Sequence, residues 1–283
     1  DVVALARSPE KAASLERLGA AATLGDLTQP ATFRQAAARC DVIVHLATPT
    51  FIGRIGQRRV RILGEQKLSQ TKNLLAAASG DTPVILSEGI LVFGECGQRR
   101  VDETAPYRPT GFAHIGAPAT AYALRLAEEE NRPLIRMLPG GVYGAGSWFK
   151  DSLYRLLKRG WFRMVGDGHN LVSYVHVDDV AEAYRLAVER RPVGETFALV
   201  DDEPTTTAAF VTFLAEHMDK PPPKGLPRWV VAAVAGSVVA ESMTTNCGVR
   251  NRKAKERLGW ELRYPTYRDG IPATLAEIEQ GER

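Results

Sequence analysis

The chain has few cysteines and none of the spacings that cysteine-based sites need. Its three cysteines, Cys40, Cys96 and Cys247, lie far apart, and no C-x-x-C pair occurs. This usage argues against a disulfide framework and favours a reducing cytoplasm. The five histidines are scattered and none is paired with a cysteine at a zinc-ligand spacing, so we predict no metal site.

Long hydrophobic runs and an excess of one charge are also missing. The longest apolar run, 229–240, has twelve residues, whereas a membrane-spanning helix needs roughly 20. We interpret it as a buried helix or a segment of a lobe. The formal net charge is +3, with both signs interspersed, which favours neither nucleic acid nor a membrane as partner.

Short apolar runs alternate with segments of helical periodicity, a pattern typical of parallel βαβ units. Ser8 as N-cap, Pro9 in the first turn and Gly19 as terminator delimit the first predicted helix. Further helices are predicted within 29–40, 60–79 and 118–131. The predicted strands of the first half are 2–6, 22–24, 42–46, 83–87 and 133–138.

Seven segments occur in an order that resembles one known superfamily. They are GDLTQP, DVIVHLATP, TKNLLAAA, LVFGE…VDETAPYRP, LPGGVYGAG, SYVHVDDVAEAY and KAKERLGWELRYPTYRDGI. In this order they resemble the extended and atypical short-chain dehydrogenase/reductases, the NAD(P)-dependent epimerase/dehydratase superfamily, over practically the whole chain. The resemblance implies an α/β fold: a Rossmann-type doubly wound parallel sheet with a smaller C-terminal substrate lobe.

The resemblance also implies a division of the chain. We expect a dinucleotide-binding core over residues 1–145 and a mainly substrate-binding lobe over 146–283, with 171–200 returning to the core. The superfamily's first strand and glycine-rich turn have no counterpart before Val2, and the chain starts at Asp1 rather than methionine. We interpret the chain as a fragment lacking that central strand; the alternative is a chain that cannot bind a dinucleotide.

The resemblance places cofactor contacts after the predicted strands. Arg7 and Ser8 follow the first strand, and no carboxylate occurs before Glu10. This favours NADP over NAD, because an arginine pairs with a 2′-phosphate whereas an acid binds the ribose hydroxyls. The alternative for Arg7 is a solvated side chain. Asp26, with Leu27, falls at the adenine contacts, or Asp26 is simply a turn residue capping the next helix.

Two more loops complete the implied cofactor site. The loop beneath the ribose and nicotinamide would contain Leu46, Ala47 and Thr48, preceded by His45, which we expect to be a core histidine. The loop beside the nicotinamide amide would contain Pro139, Gly140 and Val142. Gly140 and Gly141 either allow close backbone approach there or form an ordinary strand-to-turn pair.

The catalytic set of the resembled superfamily is absent. Its mechanism uses Ser or Thr with Tyr-x-x-x-Lys, but the serine register falls on Gly89, and the lysine register falls on 116–118. Tyr122 is followed four residues later by Leu126, and no lysine occurs between positions 72 and 150. Ordinary alcohol–ketone oxidoreductase chemistry is therefore in doubt.

Three other residues are candidates for proton transfer. His114 carries an imidazole, which can serve as a general acid or base. Glu88 is a base if it faces a pocket and a surface acid otherwise. Tyr122 is catalytic or, alternatively, packs within its helix.

Several residues of the second half have two interpretations each. Tyr143, Trp148 and Phe149 line a substrate pocket or pack core against lobe. His176 has a structural or substrate-edge role, and Asp178 and Asp179 are expected N-cap acids. Arg250 or Arg252 contacts an anionic substrate, or else the basic stretch is a solvated helix.

The sequence as a whole favours an enzyme. We expect a cytoplasmic, NADP-binding atypical short-chain dehydrogenase/reductase acting on a small organic or nucleotide-sugar substrate, by reductase, epimerase or non-redox isomerase or lyase chemistry. The alternative is a non-catalytic NADP-binding regulatory or partner-binding protein. An apolar stripe on the 118–131 helix (Ala119, Tyr122, Leu126) is compatible with a homodimer.

Overall fold

The structure is a computed structural model and describes residues 1–49, 53–146 and 148–282. Its strands are β1 Val3–Ala6, β2 Ala21–Leu24, β3 Ile43–His45, β4 Val84–Ser87, β5 Arg100–Val101, β6 Leu134–Pro139, β7 Gly141–Tyr143, β8 Met164–Val165, β9 Leu171–Val172, β10 Tyr174–His176, β11 Thr196–Leu199, β12 Thr205–Thr206, β13 Gly225–Leu226 and β14 Gly248–Val249.

Helices alternate with these strands through the first half of the chain. They are α1 Pro9–Glu16, α2 Arg34–Ala37, α3 Gln57–Ala77, α4 Ala113–Glu129, α5 Arg155–Lys158, α6 Val177–Arg190, α7 Thr207–His217, α8 Arg228–Val234, α9 Ser237–Ser242, α10 Arg252–Leu258 and α11 Tyr267–Glu282. Short 3₁₀ turns occur at Pro30–Thr32 and Ile90–Phe93, and a π-helical segment, Phe149–Tyr154, leads into α5. Within the described ranges, no helix has the length and apolar character required to cross a bilayer.

The main sheet is parallel, in the order β11-β6-β4-β3. Its strands read as continuous apolar runs because both faces are covered by helices. Val84 and Leu86 of β4 pack with residues of α3 and α4. Ile85, between them in sequence, packs on the opposite face with residues of α6 and α10. This confirms the Rossmann-type alternation of the first half of the chain.

A second parallel pair, β1 with β2, lies beside the main sheet. In the described residues no ladder joins β1 to β3. The apolar side chains along these two strands are partly exposed, at 49% for Val3, 36% for Leu5 and 38% for Val44. The further central strand expected from the sequence stays a prediction.

α3 and α4 pack side by side on one face of the main sheet. Gly64 makes the approach close, since a Cβ there would lie 3.5 Å from the His114 carbonyl oxygen. α4 begins at Ala113, five residues earlier than predicted, and contains Pro118 in its interior. The apolar stripe of α4 packs against α3 of the same chain. Ala119 is fully buried, and Tyr122 and Leu126 lie in the interface with α3.

Two strands of the second half pair with strands of the first half. β10 pairs with β7 and β11 pairs with β6. The lobe has its own aromatic core, in which Tyr174 and Phe210 stack with ring centroids 3.9 Å apart. The division of the chain at residue 145 stays a prediction.

Of the two interpretations of residues 229–240, a buried helix is wrong and a segment of the lobe stays a prediction. Gly236, with φ +106°, turns the chain and separates α8 from α9. α8 has no buried residue, and Trp229 and Val234 are 74% and 75% exposed. Only α9 is buried, through Val238 and Ala240.

The prediction that Asp178 and Asp179 cap the N-terminus of α6 is also wrong. His176 caps this helix, its Nδ1 accepting from the Asp178 amide at 3.2 Å. Asp179 is buried and accepts from the amides of Arg263 and Tyr264 at 2.6 and 3.1 Å. It therefore ties α6 to the segment before α11.

Candidate cofactor and proton-transfer site

The loops that follow β1 and β2 are neighbours, because these two strands are parallel, and α3 bonds both the loop after β2 and the loop after β3. Arg7 follows β1 with an exposed side chain, and Ser8 caps α1 by accepting from the Lys11 amide. Asp26 follows β2 and accepts from the Thr28 amide and hydroxyl, both at 2.7 Å. These bonds, and to a smaller extent the charge of Arg7, lower the pKa of Asp26. Asp26 is thus a turn residue that also neighbours Arg7.

The loop after β3 is tied down from beneath by a buried lysine. Leu46, Ala47 and Thr48 are exposed. Lys67 of α3 is only 3% exposed, and its Nζ donates to the Ala47 carbonyl. Leu27, in the loop after β2, is held in the same manner: its carbonyl accepts from Asn73 Nδ2 of α3 at 2.8 Å. α3 therefore supports both of these loops.

His45, at the end of β3, is a core histidine, as predicted. It is 2% exposed, and its Nε2 lies 3.0 Å from the Thr71 hydroxyl. Burial, with a smaller contribution from the charge of Lys67, lowers the pKa of His45 to about 3. The ring is neutral at physiological pH and does not serve as a proton donor there.

Glu88, just beyond β4, is the buried centre of a polar cluster, which we call the Glu88 cluster. Its Oε2 accepts from Arg136 Nε and Nη2 at 3.1 and 2.7 Å. Its Oε1 accepts from the hydroxyls of Tyr107, at 2.9 Å, and Thr120. The carboxylate side chain is 4% exposed, so the alternative of a surface acid is wrong.

The cluster joins three parts of the fold: the strand β6, the helix α4 and the loop before α4. A carboxylate offers about four acceptor positions, and four donor bonds occupy them here. Burial first, and then the charge of Glu88, raise the pKa of Tyr107 well above its ordinary value. The hydrogen bonds of Glu88 and Tyr107 therefore hold the side chains of this cluster in place.

The first turns of α4 lie against this cluster. A Cβ added at Gly116 would lie 3.9 Å from Glu88 Oε1, so the carboxylate lies beside the position where the resemblance places a lysine. His114 is half-buried two residues earlier. Lys67 is close enough to Glu88 for their charges to interact. The structure thus brings a lysine from α3 near a position where α4 has none.

Tyr122 lies elsewhere on α4. Its ring is partly buried in the interface between α3 and α4. Lys72 Nζ and Arg125 Cζ lie 5.1 and 5.5 Å from the ring centroid. These contacts support the packing interpretation of Tyr122.

The loop at the end of β6 is packed against the chain's own backbone. A Cβ at Gly140 would lie 2.4 Å from the Ser173 carbonyl oxygen, and one at Gly141 would lie 2.8 Å from Tyr174 Cδ1. These glycines therefore allow residues 173 and 174, at the start of β10, to pack closely against this loop. Pro139 ends β6 and Val142 lies half-buried in β7.

The aromatic residues beyond this loop form the lobe core. Tyr143 and Phe149 are each 1% exposed, whereas Trp148 is 46% exposed. The Tyr143 ring meets His176 and Phe210 edge-on, at centroid distances of 5.2 and 5.5 Å. Packing of core against lobe is the interpretation that these contacts support.

The basic helix α10 is largely solvated and paired. Lys253 and Arg257 lie 2.7 and 2.9 Å from the carboxylate of Glu195, and Lys255 pairs with Asp202. Arg252 is 80% exposed. Most cations of this helix thus have carboxylate partners within the chain.

The residues that follow β1 and β3 fit an anionic dinucleotide. Arg7 offers an exposed guanidinium, the loop after β3 exposes its backbone, and Lys67 adds a buried positive charge beneath that loop. Cations at the carboxyl ends of parallel strands suit phosphate-bearing ligands. In the described part of the chain, no group of three His, Cys, Asp or Glu residues is arranged to hold a metal ion.

Residues 1–199 match the model of the NAD dependent epimerase/dehydratase family. The chain belongs to this family. A ketoreductase of Stigmatella aurantiaca, named for 4-hydroxy-2-methyl-3-oxo-4-farnesyl-3,4-dihydroquinoline-1-oxide, is 34% identical over 76% of the chain and 65% of its own length. The 3-diazoavenalumate denitrifying reductase of a Streptomyces species is 26% identical over 96% of the chain and 91% of its own length.

Solved structures show the same fold. Human epimerase family protein SDR39U1, crystallised with NADPH, has a TM-score of 0.80 at 19% identity and covers 98% of the chain and 99% of its own. UDP-glucose 4-epimerase of Thermotoga maritima has a TM-score of 0.76 at 19% identity and covers 100% of the chain and 92% of its own. The predicted fold class and the resemblance are confirmed, and the expectation of an enzyme is confirmed at the level of the family.

Proposed function

We propose that the protein is an NADP-dependent reductase of the epimerase/dehydratase family that works without the Ser-Tyr-Lys triad. The observation that carries the proposal is the residue that follows β1. It is an exposed arginine, Arg7, and not a carboxylate. An arginine there suits the 2′-phosphate of NADP. The other proposed contacts are Ser8, Asp26, Leu27, Leu46, Ala47, Thr48, Pro139, Gly140 and Val142.

His114 is the proposed proton donor and acceptor. It lies in the first turn of α4, two residues before the position that faces Glu88, and an imidazole exchanges protons near neutral pH. When bound, the cofactor supplies or accepts a hydride. Glu88 is the second candidate, and its four donors favour positioning of α4 over proton transfer; Tyr122 is the third, and its packing against α3 disfavours it.

The substrate we propose is a carbonyl compound with an apolar tail rather than a nucleotide sugar. Two relatives are named for apolar compounds, a farnesyl dihydroquinoline oxide and a sterol carboxylate. The exposed apolar helix α8 supports the same class. It continues into α9, whose Ser242 hydroxyl accepts from the Phe112 amide at 2.9 Å, directly before α4. In this proposal the apolar tail binds on α8 and the carbonyl lies at the first turn of α4.

The test is a binding and turnover experiment on the protein. NADPH and NADH binding is followed by fluorescence, and carbonyl compounds with and without apolar tails are screened for NADPH oxidation. His114→Ala is expected to abolish turnover while NADPH binding is kept, whereas His217→Ala, at an exposed site on α7, serves as the matched control. Trp229→Ala is expected to raise KM for apolar substrates, and Trp161→Ala, another exposed tryptophan, is not.

The outcomes separate this function from its rivals. Tight NADPH binding without turnover of any carbonyl compound would instead support the non-catalytic NADP-binding regulator. Turnover unchanged in His114→Ala would remove the proton-transfer role. Failure to bind either nucleotide would contradict both. We also propose a cytoplasmic location and a homodimer.

A further inference from the structure

Lys67 has an unusual position for a lysine. Its ammonium is buried among α3, α4 and the ends of β3 and β4, and the side chain bonds the backbone carbonyl of Ala47. The titratable groups that face it are His45 on β3 and Glu88 beyond β4. α4 contributes its first turn, with His114, which packs close to Gly64 one turn before Lys67.

The charges around Lys67 do not balance within the described residues. Glu88 is the nearby carboxylate, and its oxygens accept from Arg136, Tyr107 and Thr120. Buried Lys67 and partly buried Arg136 thus share one anion. Burial lowers the pKa of Lys67 to about 8, with the charge of Glu88 acting in the opposite direction. A buried ammonium with so little compensation is unfavourable for folding.

Packing alone does not explain why a lysine is present. An apolar side chain of similar length, such as methionine, would fill the space beneath the loop without the desolvation penalty. The Ala47 carbonyl does not need the lysine either, because Ala47 is exposed and water can bond its oxygen. Perturbed, buried titratable groups of this kind concentrate at functional sites.

We propose that Lys67 is a positioning residue for the cofactor: from α3, it holds the Leu46–Thr48 loop and supplies the cation that α4 lacks. The inference rests on the proposed NADP function and deepens it. The ammonium fixes the Ala47 carbonyl and so sets the path of the loop proposed to lie beneath the ribose and nicotinamide. Its positive charge, close beneath that loop, also favours an anionic dinucleotide.

Position 116 supports this assignment. It is a glycine in α4, and the space that a side chain there would enter adjoins the carboxylate of Glu88. The lysine of Tyr-x-x-x-Lys would start from this part of α4. Lys67 therefore brings an ammonium to the same neighbourhood from the adjacent helix, 49 positions earlier in the sequence (116 − 67).

The experiment measures NADPH affinity directly, by fluorescence titration from pH 6 to 9.5. The variants are Lys67→Met and Lys67→Arg, with Lys72→Met, an exposed lysine of the same helix, as the control. We expect Lys67→Met to weaken NADPH binding by about tenfold or more, Lys67→Arg to restore part of it, and Lys72→Met to leave it unchanged. Melting temperatures recorded alongside establish that Lys67→Met is folded at each pH.

The pH profile distinguishes positioning from packing. In the unmodified protein, affinity for NADPH falls as pH rises through about 8, the pKa of Lys67; in folded Lys67→Met this fall is absent. Equal affinities and identical pH profiles for the unmodified protein and folded Lys67→Met would overturn the inference while leaving the proposed function intact. Failure of the unmodified protein to bind either nucleotide would overturn both. If Lys67→Met does not fold, Lys67→Arg replaces it in the pH test. Because its guanidinium stays charged, the fall in NADPH affinity through about pH 8 should be absent, and a pH profile identical to that of the unmodified protein would overturn the inference.

Discussion

Arg136 and Glu88 form an ion pair whose side chains are 13% and 4% exposed. Nε and Nη2 of the guanidinium both donate to Glu88 Oε2, and the hydroxyls of Tyr107 and Thr120 donate to the other oxygen, Oε1. Removing one partner of such a pair is worse than removing both, because a lone buried charge remains. The pair therefore specifies how β6, α4 and the loop before α4 meet.

Arg136→Met is expected to lower the free energy of unfolding by about 3–5 kcal/mol. The physical reason is that Glu88 stays buried without its guanidinium. The double variant Arg136→Met with Glu88→Gln should recover part of this loss, because both charges of the pair are then gone, although Lys67 also loses its nearby carboxylate. Urea denaturation of the three proteins measures both values. A single variant as stable as the parent would show that the pair is not a structural element.

At the scale of single residues, local chemistry was predictable and long-range partnership was not. Ser8 as N-cap and His45 as a core histidine follow from their immediate neighbours, and both are confirmed. Arg136 carried a usable signal, since it interrupts the apolar run of β6, whereas Lys67 shares the buried face of α3 with the polar residues Gln70 and Thr71. The partners of Lys67 and Arg136 lie 20 and 48 positions away, a distance that residue patterns do not encode.

At the scale of elements, the strands were the most predictable part. The five predicted strands agree with β1, β2, β3, β4 and β6 to within one residue at each end, because buried parallel strands are short apolar runs. The helix predicted within 29–40 is instead a 3₁₀ turn followed by the four-residue α2. The absence of one continuous amphipathic pattern there explains the difference.

Gly236 explains why residues 229–240 do not form one buried helix. Apolar composition is the same on both sides of Gly236, so composition alone gave no reason to divide the segment. The residue adopts φ +106°, and a Cβ there would lie 2.0 Å from the Ile55 carbonyl oxygen. The turn between α8 and α9 therefore depends on a residue without a side chain.

Gly236→Ala is expected to destabilise the protein by about 2 kcal/mol or more, through backbone strain and the clash with Ile55. Gly194→Ala is the matched control, because Gly194 also has positive φ, +81°, but nothing lies within 4 Å of an added Cβ. Thermal unfolding of both variants separates the clash from the strain. Equal losses in the two would mean that the approach to Ile55 carries no energetic weight.

At the scale of the whole molecule, Asp201 links core and lobe. It follows β11, is 1% exposed, and one of its carboxylate oxygens has no hydrogen-bond partner within the described residues. Burial raises its pKa to about 8. Between the ordinary carboxyl pKa of 3.8 and about 8 the folded state keeps a proton that the unfolded state releases, so its contribution to stability falls as pH rises.

Asp201→Asn removes this pH dependence. We expect the variant to gain stability relative to the parent as pH is raised from 5 to 8.5, by on the order of 1–3 kcal/mol at the upper end. Melting temperatures across this range measure the difference. A constant difference between variant and parent over the whole range would show that Asp201 is ionised in the folded protein throughout.

The family and the fold were predictable because seven segments occur in register over the whole chain. The reaction was less predictable, since the same fold supports many chemistries. The structure adds a buried lysine, a Glu88 whose oxygens accept four hydrogen bonds, and the exposed apolar helix α8. Together these residues favour a cofactor-dependent reductase with an altered catalytic set.

Comparison of NADPH and NADH affinities tests the central claim most directly. Fluorescence titrations are made with the parent protein and with Arg7→Ala, with Arg17→Ala, an exposed arginine just beyond α1, as the control. We predict that the parent binds NADPH at least about tenfold more tightly than NADH, and that Arg7→Ala removes this preference while Arg17→Ala keeps it. Equal affinity for the two nucleotides, or binding of neither, would contradict the account.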